Sequence, residues 1–276
     1  MALSDVEKQR LQNTARDLRL TTIDVMGWSG GAHIGGSLSI LDILTMLYFK
    51  YLNIDPKNPQ WEERDRFILS KGHAAAGYIP VLAKKGYFPV ETLMSFNHFG
   101  SPFAMHPDSN KINGCDVSAG SLGHGLSMAV GLGLGARYLK KNWKTVCIMG
   151  DGECCEGSVW EAAMAAVHFK LGNVIGIVDR NRLMIDGKTE DIMALEPFAD
   201  KWRAFGWEVL EVNGHDFDQL DAALEKAWQA TEKPVLILAN TIKGKGVDFM
   251  ENNVVYHYAA GDSELCAKAK ASIMKG

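Results

Sequence analysis

The sequence predicts an α/β fold: one parallel sheet with helices on both faces, three layers in all, preceded by a helical N-terminal extension. Two observations predict it. Strand-length apolar runs recur along the chain with helical patterns between them. These runs are apolar at consecutive positions, as strands covered on both faces are. No low-complexity linker and no internal repeat interrupts the 276 residues. One domain over 1–276 is therefore expected, with 1–60 as the extension.

The first helix is expected from Ser4 to about Gly27. Ser4 and Glu7 form a capping-box pattern, and Val6, Leu11, Leu18 and Val25 recur at roughly helical spacing. A glycine-rich break over 27–33 separates it from a second helix at 37–51. Strands are expected at 67–69, 145–149, 174–178, 207–210 and 235–238, and helices at 74–85, 122–140, 156–171, 197–205 and 217–230. Ligands of such sheets sit beyond the carboxyl ends of the strands, so the residues just past each strand are the candidates for function.

Composition narrows the function classes. Hydrophobic residues make up 47% and charged residues 22%, an ordinary globular balance. A net charge of -4, with only short basic clusters such as Lys140-Lys141 and Lys243-Gly244-Lys245, argues against a nucleic-acid surface. Five cysteines, two of them adjacent at Cys154 and Cys155, make a poor disulfide framework and suit a reducing compartment. With no apolar signal core and no membrane-length apolar run, a cytoplasmic location is expected.

The best chemical signal is Gly150-Asp151-Gly152 at the end of the 145–149 run. Gly150 and Gly152 let the backbone bend and approach a bulky anion. The helix that follows can point its first N–H groups at phosphate oxygens. One crossover later the next strand ends at Asn181, and neighbouring parallel strand ends come close together. A carboxylate and an amide carbonyl at that junction form an oxygen set suited to magnesium on a diphosphate.

This arrangement resembles the signature of thiamine-diphosphate enzymes, in which Gly-Asp-Gly is followed after about thirty residues by Asn. The resemblance implies thiamine diphosphate as cofactor, with Mg2+ (or Ca2+ or Mn2+) held by Asp151, Asn181 and the backbone of Leu183, and with Gly152 against the diphosphate. Further stretches narrow the family. Arg64-Asp65-Arg66-Phe67-Ile68-Leu69-Ser70-Lys71-Gly72-His73 is similar to the transketolase pattern RDRFxLSxGH, Gly120-Ser121-Leu122-Gly123-His124-Gly125 to GPLGQG, and 149–157 to GDGxxxEG. The match spans nearly the whole chain and covers the first of the three regions of a full-length transketolase.

That family moves a two-carbon ketol unit from a ketose to an aldose. Imidazole suits the hydroxyl-proton transfer this needs near neutral pH. By resemblance, His33 and His257 handle that proton, His106 hydrogen-bonds the transferred unit, and His73 lies near the diphosphate and the substrate entrance. Gly120 and Leu122 address the aminopyrimidine ring. Glu156 either joins a carboxylate network across a subunit interface or is an acid at a helix N-terminus. Departures from the pattern are Ile34 where the family has Pro, Ser121 and His124 in the GPLGQG stretch, and Tyr258 after His257 where Gly is usual.

The resemblance also implies a separately encoded partner carrying the pyrimidine-binding and C-terminal domains, in an α2β2 heterotetramer. Gly131 and Gly135 within the 122–140 helix would admit a second backbone, from the partner or from this chain. Alternatives are a deoxyxylulose-phosphate synthase-like enzyme, a 2-oxo acid dehydrogenase α-like subunit, or a catalytically silent scaffold subunit. A nucleotide loop at 242–246 lacks the Walker spacing.

Overall fold

A computed structural model describes residues 3–275; Met1, Ala2 and Gly276, the ends of the expected domain, lie outside the described residues. In chain order the strands are β1 (Gly31–Ala32), β2 (Arg66–Leu69), β3 (Thr145–Gly150), β4 (Val174–Arg180), β5 (Glu208–Asn213), β6 (Val235–Asn240) and β7 (Ala259–Ala260). The helices are α1 (Asp5–Trp28), α2 (Ile34–Leu38), α3 (Leu41–Met46), α4 (Ala75–Lys85), α5 (His124–Tyr138), α6 (Gly157–His168), α7 (Thr189–Ile192), α8 (Phe198–Ala204), α9 (Phe217–Gln229) and α10 (Ser263–Ile273).

Five strands form a parallel sheet in the order β2-β3-β4-β6-β5. Because side chains alternate along a strand, consecutive apolar residues serve opposite faces. On β3, Val146 and Ile148 pack with Leu18 of α1, Leu44 of α3, Ile79 of α4 and Leu224 of α9. Cys147 and Met149 of the same strand pack with Leu126 of α5, Val159 of α6 and Trp202 of α8. Ile175 and Ile177 of β4 join the first cluster and Val174 and Val178 the second. Each fully buried Leu or Ile contributes roughly 1.5–3 kcal/mol, and the two clusters hold the strand ends rigidly. This is the three-layer architecture the apolar runs predict. The N-terminal helices belong to the first cluster, where Leu11, Leu18 and Ile23 of α1 are fully buried.

Ser4 caps α1, its Oγ accepting the Glu7 N–H at 3.3 Å. The expected helix at 37–51 is interrupted. Ser37 Oγ donates to the His33 carbonyl at 2.7 Å and Ser39 Oγ to the Gly36 carbonyl at 3.1 Å, local bonds that compete with a regular helix. The segment closes with a π turn, Leu47–Tyr51. β5 runs three residues beyond expectation because it is an edge strand, where exposed Glu211 is tolerated. The two-residue antiparallel ribbon of β1 and β7 is too short to carry a periodic signature; Gly31 pairs with Ala260 and Ala32 with Ala259. No helix among the described residues is long and apolar enough to cross a membrane.

Candidate active site

β3 and β4 are paired through Gly150 and Asp179, so Asp151 and Asn181 leave the sheet side by side. Both line a cavity of about 440 Å3 together with His33, His73, His106, Gly120, Leu122, Gly150, Gly152, Leu183 and His257. The structure thus brings together every site residue expected from the sequence except Glu156. That residue is exposed at the start of α6 and makes no side-chain cap.

Asp151 is 2% exposed. Its Oδ1 accepts the Gly152 N–H at 2.8 Å, and its Oδ2 accepts the Arg182 N–H at 2.6 Å and Arg180 Nη1 at 3.3 Å. Burial, and then the charge of Asp179, pushes its pKa up against these donors. Arg180 is itself fully buried and also pairs with Glu190 and Glu196 at 3.0 and 2.9 Å. Asn181 is fixed in orientation: Nδ2 donates to Asp179 Oδ2 at 3.0 Å, and Oδ1 accepts the Leu183 N–H at 3.1 Å.

Of four charged residues missed by the sequence reading, Lys71, Glu153 and Lys243 line the cavity, and Asp179 is buried against Lys71. Asp179 is fully buried; its Oδ2 accepts Lys71 Nζ at 2.5 Å and Ser39 Oγ at 2.7 Å, and its Oδ1 accepts Thr241 Oγ1. Lys71 also donates to the Gly36 carbonyl at 2.8 Å. Glu153 ties three loops together by accepting the N–H groups of Gly123 and Gly150, each at 2.9 Å, and the Ser70 hydroxyl. Burial raises its pKa. Lys243 is 2% exposed, and its Nζ donates to the Leu183 carbonyl at 3.0 Å and to His257 Nδ1 at 2.9 Å. With Nδ1 accepting, neutral His257 carries its proton on Nε2.

Three imidazoles converge on one another. The ring centroid of His33 lies 5.2 Å from that of His73 and 5.5 Å from that of His257, and His73 and His257 are 5.5 Å apart. The β1–β7 ribbon makes this possible, since His33 follows β1 and His257-Tyr258 precede β7; Tyr258 packs edge-on against His33 at 5.1 Å. Burial lowers the His33 pKa, with His106 and Lys243 adding to the effect. Burial and Lys71 lower His73 to about 2, and burial and Lys243 lower His257 to about 4. All three are therefore neutral at pH 7. Among the described residues, His33 Nδ1 is buried without a hydrogen-bond partner.

The donor set fits a diphosphate with a divalent cation. One carboxylate, one amide oxygen and inward-facing main-chain carbonyls are hard oxygen ligands. The Leu183 carbonyl already accepts a cationic ammonium. Two buried lysines line the same cavity and offset anionic charge. No cluster of three or more His, Cys, Asp or Glu suited to a metal occurs among the described residues.

The family described as transketolase, thiamine diphosphate binding domain, matches residues 9–273. The chain is 44% identical over 265 residues to the 6-deoxy-6-sulfo-D-fructose transketolase subunit SqwG of a Clostridium species, covering 96% of each. It is 41% identical to an apulose-4-phosphate transketolase subunit of Phocaeicola vulgatus, covering 96% of this chain and 93% of that one. Among solved structures, the transketolase of Campylobacter jejuni superposes with a TM-score of 0.90 at 33% identity, covering 96% of this chain and 43% of that chain. A Pichia stipitis transketolase in complex with sedoheptulose-7-phosphate gives 0.86 at 28%, covering 96% and 44%. The chain therefore spans less than half the length of these solved transketolases.

Proposed function

The chain belongs to the transketolase family, as its thiamine-diphosphate-binding domain, and from that membership we propose that it is the cofactor-holding subunit of a two-chain transketolase. With a separately encoded partner it transfers a two-carbon ketol unit from a ketose to an aldose. The observation that carries this reading is the single cavity in which Asp151 and Asn181 meet His33, His73, His106 and His257. Relatives of matching length that are named as transketolase subunits support the two-chain form. An α2β2 assembly is the form we favour, with residues 1–276 acting as one unit.

When bound, thiamine diphosphate supplies a nucleophilic carbon and an electron sink for cleaving the bond beside a ketose carbonyl. Asp151, Asn181 and the Leu183 carbonyl would hold magnesium on the diphosphate, and Gly150 and Gly152 would leave room for the backbone to approach it. Lys71 and Lys243 offset the remaining negative charge. Gly120 and Leu122 face the aminopyrimidine side. His33, whose Nδ1 has no hydrogen-bond partner among the described residues, takes the proton from the hydroxyl on the leaving carbon and later returns one to the acceptor. His257, its Nδ1 occupied by Lys243, offers Nε2–H to that hydroxyl as a hydrogen-bond donor. His106 steadies the transferred unit by hydrogen bonding, and His73 guards the entrance near the diphosphate. Glu156, exposed on this chain, faces the assembly's interface.

The test is co-purification with the partner chain, followed by magnesium-dependent binding of thiamine diphosphate and ketol transfer across a panel of ketose donors. The panel includes 6-deoxy-6-sulfofructose, apulose 4-phosphate and xylulose 5-phosphate. Two-carbon transfer that disappears in Asp151→Asn supports the reading. Cofactor binding independent of both Asp151 and Asn181 overturns it.

A further inference from the structure

We propose that His215, outside the catalytic cavity, is the positioning residue that places Lys243 in it. The inference rests on the reading of that cavity as the diphosphate site. The β5–β6 ladder ends at the pair Asn213 and Asn240. His215 and Ile242 each lie two residues beyond that last rung, and the Ile242 N–H donates to His215 Nε2 at 2.9 Å. The imidazole thus supplies one more rung where the main chain offers none, immediately before the lysine whose amine enters the cavity.

Only one tautomer can do this. Nε2 accepts when the ring proton sits on Nδ1, and His215 Nδ1 lies 2.7 Å from Asp42 Oδ2. Asp42, on α3, is 4% exposed, and Arg19 of α1 donates to the same oxygen at 2.6 Å. An acceptor facing Nδ1 and a donor facing Nε2 fix the ring completely. The order Arg19, Asp42, His215, Ile242 N–H runs from the helical layer to the turn after β6. That turn is confined on its other side as well. Gly244 N–H donates to the Gly35 carbonyl at 2.9 Å, and a Cβ on Gly35 would stand 3.0 Å from Lys243 Cγ. The aliphatic stem of Lys243 therefore crosses a gap kept open by Gly35, with its entry angle set by the His215 bond.

Removing the imidazole leaves the Ile242 N–H without its acceptor and lets the turn relax, so the amine no longer reaches the Leu183 carbonyl and His257. The chain purified with its partner is titrated with thiamine diphosphate and magnesium by calorimetry. His215→Ala is expected to weaken binding about tenfold. His215→Gln, whose amide can accept from Ile242 and donate to Asp42, is expected to restore binding to within about threefold of wild type. On a Lys243→Met background, His215→Ala is expected to add less than about twofold, because residues acting through one contact do not sum. His215→Asn, too short to span both partners, reads the same loss if the alanine variant does not assemble. Unaltered affinity in His215→Ala or His215→Asn, or effects that multiply with Lys243→Met, overturns the assignment. A cofactor-free measure separates this from failure of the proposed function: the rate of Lys243 acetylation, followed by mass spectrometry, rises in His215→Ala if the positioning holds and stays at the wild-type rate if it does not.

Discussion

His33 and His257 meet at right angles, their ring centroids 5.5 Å apart and their planes at 89°, although one follows the first strand and the other precedes the last. His33→Ala is expected to lower kcat by about 10²–10⁴ while cofactor affinity changes little, as for loss of a proton-transfer group. His257→Ala is expected to lower kcat and also weaken cofactor binding, because His257 accepts from Lys243. Steady-state kinetics beside cofactor titration separates the two, and equal effects from both variants would contradict these roles.

Acid should weaken the fold through its histidines. His73 and His257 have folded pKa values of about 2 and about 4, below the ordinary 6.5, because burial disfavours the imidazolium. Between about pH 6.5 and 4 the unfolded chain binds more protons than the folded one, so stability falls as pH falls. Urea denaturation across that window should show the decline, and the double variant with His73→Gln and His257→Gln should flatten it.

Asp42 titrates lower still. Burial alone would raise its pKa, but Arg19 and His215 outweigh burial and hold it at about 2. Its contribution, about 2 kcal/mol at 1.36 kcal/mol per unit, is present above pH 3.8 and is lost as pH drops toward 2. Asp42→Asn breaks a buried ion pair and is expected to cost about 3–5 kcal/mol at pH 7. Denaturant melts check this, and a loss below about 1 kcal/mol would contradict it.

Gly72 leaves no room for a side chain. A Cβ there would overlap the Ala119 carbonyl oxygen, far inside van der Waals contact distance, and lie 3.3 Å from His106 Cδ2. Gly72→Ala must displace the 119–122 loop, with Gly120 and Leu122 on it, and is expected to destabilise the chain by roughly 1–3 kcal/mol, as overpacking does. Cofactor affinity should fall with it. A melt and a cofactor titration matching wild type would show the loop yielding at no cost.

The sheet is legible in sequence because a strand buried on both faces is apolar along a consecutive run, as β3 is over 146–149, β4 over 174–178 and β6 over 235–239. Asp151 and Asn181 are legible because each interrupts such a strand at its end, and glycine flanks Asp151. Lys71, Glu153, Asp179 and Lys243 are harder to read. Each is a single charged residue whose partner lies far along the chain; Ser70 and Glu153 are 83 residues apart, and Lys71 and Asp179 are 108 apart. Local composition carries no trace of such pairings. Asp179 offers a clue, a carboxylate that directly follows the apolar run of β4 and, once buried, demands a counter-charge. The break at Ser37–Ser39 is hidden for the opposite reason: the apolar spacing of 37–51 suits a helix, and hydroxyl bonds to nearby carbonyls divert it.

During synthesis on the ribosome, Gly31 and Ala32 have no strand to pair with until Ala259 and Ala260 have been added. The parallel sheet can assemble before then, but the imidazole cluster cannot, because His257 arrives with the closing strand. A nascent chain stalled before that point holds Asp151 and Asn181 but not His257. The His33–His257 contact thus waits on the last strand, and the two short strands that bring it about come from opposite ends of the chain.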